Sequence, residues 1–162
     1  MKVNPVEPHF KDKQTRLYEF TDLFLVHCPR CKECAKVVII EAEDPPRNAP
    51  YAARLQAPRR LVCVHCGYVR ERREEGFADT QTVDWYFHQP LWLVISCCGE
   101  TLWAYNGRHL DFLEEFVRAG IREAYPNGTL ASRIPAWMKS ARNREDVLKC
   151  IEKLRKRLPE NS

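Results

Sequence analysis

The chain predicts an α+β fold in which antiparallel strands come first and helices last. Three observations carry this. Strand-like apolar runs are confined to residues 23–105. An apolar stripe at spacings of three and four residues appears only from Leu110 onward. The eight cysteines include two Cys-x-x-Cys pairs, Cys28 with Cys31 and Cys63 with Cys66, separated by 31 residues. A chain of 162 residues is long enough for one domain with internal subdivisions. Those expected are an arm at 1–21, a cysteine-paired segment at 22–76 with a proline-rich loop at 43–58, and a hairpin-plus-helix part at 77–162.

Composition narrows the class. A hydrophobic fraction of 44% with 30% charged residues suits a water-surrounded globule. No apolar run approaches the ~18 residues a membrane span needs. Residues 1–10 (MKVNPVEPHF) carry no apolar signal core, so the expected location is cytoplasmic. In a reducing compartment, paired Cys-x-x-Cys motifs read as metal ligands in preference to four disulfides. No thioredoxin-like βαβ pattern surrounds either pair, which argues against a redox motif.

In order along the chain, residues 1–13, with Pro5 and Pro8, read as an extended arm. Residues 23–27 (LFLVH) predict a strand entering the first cysteine pair, and 36–42 the returning strand. The unbroken run Val37, Val38, Ile39, Ile40 suggests cover on both faces. Residues 43–58 hold four prolines and no period, which predicts a loop. The stretch is read first as an ordinary insertion between the cysteine pairs; as the alternative, its Arg47, Arg54 and Tyr51, with the following Arg59 and Arg60, are the residue types that would meet phosphate and base.

Residues 59–63 re-enter the sheet and 68–74 leave it. The alternating charges of 70–75 discourage edge pairing. A turn is expected at 76–80. Residues 82–88 (TVDWYFH), 91–96 (LWLVIS) and 101–105 (TLWAY) predict three further strands, the last two forming a hairpin around Cys97-Cys98-Gly99-Glu100. Trp85, Trp92 and Trp103 are read as core packing. A base-stacking surface is the alternative. From Leu110 the stripe Leu110, Leu113, Val117, Ile121, Ala124 predicts a helix ended by Pro126-Asn127-Gly128. Residues 130–140 are short helix broken by Pro135. Asn143 is the expected N-cap of a last helix with the stripe Val147, Ile151, Leu154, Leu158.

The cysteine pairs carry the chemistry. Two residues between cysteines let both sulfurs of a turn face one ion, and a second such turn completes a tetrahedron. The expected ligands are Cys28, Cys31, Cys63 and Cys66, and the expected cofactor is Zn2+. Cys34 is a rival to Cys28, because it also stands three residues from Cys31. Four thiolates fill the coordination sphere, which makes the ion structural; a catalytic zinc keeps a position open. At HCPRC and CVHCG the chain resembles the zinc-ribbon family, over about residues 22–74, and the remainder resembles bacterial proteins that carry such a ribbon. The resemblance implies a small antiparallel sheet clamped by zinc. It also implies roles of the general-transcription-factor-B type, nucleic-acid binding, or bracing of an enzyme.

No Gly-rich phosphate loop, HExxH or G-x-S-x-G is present. Cys97 and Cys98 are read first as small, partly buried residues at a tight turn; the alternatives are a second metal with Cys34, His65 or His88, one ligand given to the ribbon site, or an enzyme pairing a thiol with His88 or His109. Glu114 and Glu115 are discounted as metal ligands, because adjacent helical side chains diverge by about 100°. Charge points elsewhere. The chain carries +4, and residues 133–158 hold nine basic and three acidic residues, net +6, which leaves the rest at −2. A basic C-terminal face reads equally as a polyanion contact or as a solvated helix face. The candidate nucleic-acid residues are Arg59, Arg60, Arg142, Lys149, Lys153, Lys156 and Arg157. The expected role is a non-catalytic binding module for nucleic acid. A protein–protein adaptor in a larger complex is the alternative, and an enzyme using Cys97 and Cys98 ranks below both.

Overall fold

A computed structural model of the chain describes residues 8–73, 81–123 and 126–160. The expected turn at 76–80 and the helix position Ala124 lie outside the described residues. The fold is α+β, as the sequence predicts. Strand β1 (His9–Phe10) opens it, followed by a single 3-10 turn at Leu17–Phe20. Then come β2 (Leu23–His27), β3 (Cys34–Ile39), a short helix α1 (Tyr51–Gln56), β4 (Arg59–Val62) and β5 (Val69–Arg72). Strands β2 to β5 form one antiparallel sheet in sequence order. His27 faces Cys34 at the end of the first hairpin and Val62 faces Val69 at the end of the second. Each Cys-x-x-Cys pair therefore begins at the turn of one hairpin.

A second antiparallel hairpin, β6 (Leu93–Cys97) and β7 (Glu100–Ala104), lies beyond the β2 edge. The backbone joins them: Trp92 N–H donates to Leu25 O at 2.9 Å, Leu25 N–H to Tyr105 O at 2.8 Å and His27 N–H to Pro90 O at 2.8 Å. Helix α2 (Gly107–Arg118) follows, then β8 (Ile121–Arg122), the short helices α3 (Leu130–Arg133) and α4 (Ala136–Lys139), and α5 (Arg144–Arg155). Leu110, Leu113 and Val117 of α2 and Val147, Ile151 and Leu154 of α5 bury their stripes with Leu93, Leu102 and Ala104 of the hairpin. A second buried cluster joins Phe24, Val26, Val37 and Leu61 of the larger sheet to Tyr86, Leu91 and Tyr105.

Several sequence expectations are corrected. The 82–88 stretch is a turn with a single bridge between Val83 and Pro90. Asp84 is the cause: its buried carboxylate accepts the N–H groups of Tyr86, Phe87 and Gln89 at 2.9, 2.7 and 2.7 Å, and so takes the donors a ladder would need. Helix α2 stops at Arg118, well short of residue 124. Gly120 and Ile121 give their N–H groups to Pro8 O, β8 pairs parallel with β1, and Arg122 caps the freed Phe116 carbonyl at 3.0 Å.

The 43–58 stretch contains α1, which packs by seating Leu55 O on the Tyr86 hydroxyl at 3.0 Å. The 1–21 arm, over its described part, is tied to the body. Phe10 is buried edge-on against Phe112 and Phe116, and Phe20 stacks on His109. Pro135 divides α3 from α4 from the N-cap, one position before the first turn of α4. Asn143 precedes α5 as expected, but its side chain donates to Trp137 O at 3.0 Å and does not cap the helix.

Candidate metal centre

The two cysteine turns are built alike. Lys32 N–H returns to Cys28 O at 3.0 Å and Gly67 N–H to Cys63 O at 2.9 Å. Cys28 N–H donates to Glu33 O at 2.8 Å and Cys63 N–H to Tyr68 O at 2.9 Å. In both turns the residue after the second cysteine is left-handed, Lys32 at φ +67° and Gly67 at φ +72°. Gly67 adopts that angle without strain, whereas Lys32 carries a Cβ there. This geometry points the two sulfurs of each turn to one side, and the β3–β4 pairing brings the turns together.

The four sulfurs lie within 4.8 Å of one another. Cys28 and Cys66 sulfurs are 3.7 Å apart, and Cys31 and Cys63 sulfurs 3.6 Å. With Zn–S bonds of about 2.3 Å, a tetrahedron has sulfur–sulfur edges of about 3.8 Å, so the spacing fits a four-coordinate ion. Cys28 and Cys63 are buried, while Cys31 and Cys66 are half-buried. Burial opposes ionisation of Cys28. The N–H groups of Cys31 and Arg30, with the neighbouring thiols, outweigh it and bring that thiol down to about 7. Burial pushes the Cys31 thiol the other way, up to about 12. Such a cluster of soft donors can hold a metal ion.

The rivals sit elsewhere. Cys34 is the first residue of β3, outside the four-sulfur cluster, and burial raises its thiol to about 11. His27 gives its Nδ1 hydrogen to Lys32 O at 3.0 Å and rests its ring by Trp92. Cys97 and Cys98 flank the start of the β6–β7 turn, where Cys98 at φ +54° and Gly99 at φ +78° supply two left-handed positions. Cys97 is buried. Burial and the adjacent Cys150 and Cys98 thiols raise its pKa and keep it a neutral thiol, opposite to what a nucleophile requires. Its sulfur lies 3.9 Å from both the Cys98 sulfur and Asp146 O. His109 lies instead among Phe20, Trp103 and Tyr105.

The basic candidates divide. Arg59 is fully buried, which corrects its expected place on a nucleic-acid surface. Its guanidinium lies 4.3 Å over the Tyr86 ring and donates to Thr21 O at 2.6 Å and Arg54 O at 2.8 Å. The signal was in the strand period: Arg59 and Leu61 share the inward face of β4, while Arg60 points out and pairs with Glu71 at 2.7 Å. Arg72 is likewise spent on Tyr86 O.

Arg142, Lys149, Lys153, Lys156 and Arg157 are all exposed. Lys149 and Lys156 pair with Asp146 and Glu152 at 3.6 and 3.5 Å, and Arg157 donates to Val94 O at 3.0 Å. No ion pair engages Arg142 or Lys153 among the described residues. Sequence reasoning missed a cleft where Arg47, Arg54 and Arg108 surround Tyr18 stacked on Tyr51 at 3.7 Å, with Glu19 and Asp22 at its edge. The loop residues alone were legible; their partners on the 3-10 turn and α2 were not. Among the described residues, no helix is long and apolar enough to cross a membrane. Comparison with protein-family models, curated proteins and solved structures finds no match to this chain.

Proposed function

We propose that the chain is a non-catalytic module in which one Zn2+ on Cys28, Cys31, Cys63 and Cys66 holds the sheet closed while the surrounding basic surface binds nucleic acid. The observation that carries the reading is the sulfur cluster itself. Four thiols at tetrahedral spacing leave no open coordination position, so the ion braces the fold and the activity falls to the surface. Zinc suits a set of four soft thiolates better than magnesium or calcium, which take oxygen ligands.

Two surfaces support a polyanion partner. Lys149 and Lys153 of α5 and its C-cap Lys156 recur at helical spacing, with Arg142 and Arg157 beyond its ends. The Lys149 and Lys156 pairs are exposed on both partners, so they contribute at most about 1 kcal/mol and exchange readily for phosphate. The Arg47–Arg54 cleft adds an exposed tyrosine pair on which a base can stack. Gel-shift titration of single-stranded RNA and duplex DNA across a range of salt tests the reading. Binding that weakens steeply with salt, and that weakens further in a Lys149→Ala/Lys153→Ala/Lys156→Ala variant, is expected. No shift at low salt rejects it.

A second reading has its own observation. Val64, at the tip of the second cysteine turn, is 89% exposed, and Val69 on β5 is 55% exposed. Exposed apolar side chains on a rigid turn suit a protein partner, as in an adaptor within a larger complex. Such a complex would persist at high salt and be lost in Val64→Ser, the reverse of the pattern above.

A further inference from the structure

A cavity of about 520 Å3 opens between β7, α2, the α3–α4 segment and the turn at residues 81–85. That volume is within the range of small-molecule sites. It has no lining residue in common with the cysteine cluster or with α5. Trp85, Trp103 and Trp137, three of the four tryptophans in the chain, form its walls, and each is only half-buried. Three indoles thus line one space, the arrangement that a planar ring can stack against. Leu102, Leu113 and Met138 make the floor, and all three are buried.

Two buried donors face this space with capacity unspent. His109 is 2% exposed, and its Nδ1 accepts the Tyr105 N–H at 3.2 Å, which places the ring hydrogen on Nε2. Among the described residues Nε2 has no hydrogen-bond partner, and it is not sealed in protein. Because Nε2 opens on the cavity, its hydrogen is available to a ligand acceptor, which would take it from water for a net gain of about 0.5–1.5 kcal/mol. Burial holds the imidazole neutral, with its pKa pushed down to about 3. It therefore offers one uncharged N–H, suited to a carbonyl or ring nitrogen more than to an anion. Tyr105, 2% exposed, accepts from Trp85 Nε1 at 3.0 Å and keeps its own hydroxyl hydrogen to give. At the mouth stand exposed Arg133, with no ion pair among the described residues, and Glu100. They offer a cation for phosphate and an acceptor for a sugar hydroxyl.

We propose that this cavity binds a planar heteroaromatic ring bearing an inward carbonyl acceptor, the chemistry of a nucleobase, with the ring against the tryptophan walls and the acceptor on His109 Nε2 and Tyr105 Oη. The base can arrive as a free nucleoside or nucleotide, or as an unpaired base of a strand. Stacking on aromatic side chains contributes about 1–3 kcal/mol per base. The cavity adjoins the tyrosine–arginine cleft, because Leu17 lines one and Tyr18 the other.

The experiment follows the four indole N–H resonances by NMR while the zinc-loaded chain is titrated with the four ribonucleosides, their 5′-monophosphates and an oligouridylate. Expected are saturable shifts of the Trp85, Trp103 and Trp137 indoles, with Trp92, which donates to Arg157 O, unmoved. His109→Phe should weaken nucleoside binding about tenfold, the loss of one buried hydrogen bond. Should that variant fail to fold, Trp137→Leu carries the same expectation. Arg133→Ala should weaken the monophosphates and leave the nucleosides alone. An oligouridylate binding about a hundredfold tighter than uridine monophosphate identifies a strand base, and equal affinities identify a free nucleotide. The triple α5 lysine variant should leave the nucleoside shifts intact, so the surface reading and the cavity reading fail separately. No shift with any ligand at about 5 mM, or shifts undiminished in both His109→Phe and Trp137→Leu, overturns the proposal.

Discussion

Arg59 shows how a single side chain can be misread from sequence and what it does instead. A guanidinium buried over Tyr86 with two carbonyl acceptors ties the 3-10 turn, α1 and β4 together. Lysine cannot reproduce that fork. Arg59→Lys should lower unfolding free energy by about 2–3 kcal/mol in denaturant melts, because charged hydrogen bonds are lost in the interior. His109 makes a second residue-level prediction. Its folded pKa, near 3, is below its unfolded value of about 6.5, so the unfolded chain binds the extra proton between those limits. Stability therefore rises with pH across that window and falls as pH drops through it, by up to about 1.4 kcal/mol per pH unit. In folded His109→Phe this part of the acid sensitivity should vanish from pH-dependent melts. The strand period of β4 carried a hint of Arg59's inward face, but its partner Thr21 and His109's partner Phe20 lie far along the chain and were not legible.

At the scale of the element, the sequence was most informative where one local cause decides the structure. The cysteine spacing, the Cys98-Gly99 turn and the stripes of α2 and α5 each follow from a short-range rule, and each is present. It failed where a side chain diverts the backbone. TVDWYFH alternates well enough for a strand, yet Asp84 captures three N–H groups and folds it into a turn. The stripe through Ile121 extends α2 on paper, but β1 claims those donors from a distance of more than a hundred residues. The twin cysteine turns yield a prediction at this scale. Lys32 occupies the left-handed position that Gly67 fills in the other turn. Lys32→Gly should raise stability by about 0.5–1 kcal/mol in thermal melts of the metal-loaded chain, since relief of the Cβ clash exceeds the added chain entropy. A loss would mean that the Lys32 Nζ bond to Pro29 O, at 3.1 Å, outweighs that relief.

Over the whole molecule, the larger sheet is closed at its turns by sulfur and at its β2 edge by the second hairpin, whose other face carries α2 and α5. Zinc-binding energies in small finger domains run to about 10–16 kcal/mol, comparable to the stability of an entire domain. On the proposed zinc reading, stripping the ion should therefore loosen the β2–β5 sheet first and leave the α2–α5 core, which holds no part of the cluster, more resistant. Hydrogen exchange before and after chelation would read that order directly. The most direct test of the account is metal content measured together with thiol state on the purified chain. It predicts one zinc per chain, Cys28, Cys31, Cys63 and Cys66 shielded from alkylation until a chelator is added, and loss of the ion in Cys63→Ser. A chain free of zinc, with those four cysteines joined as disulfides, would contradict it.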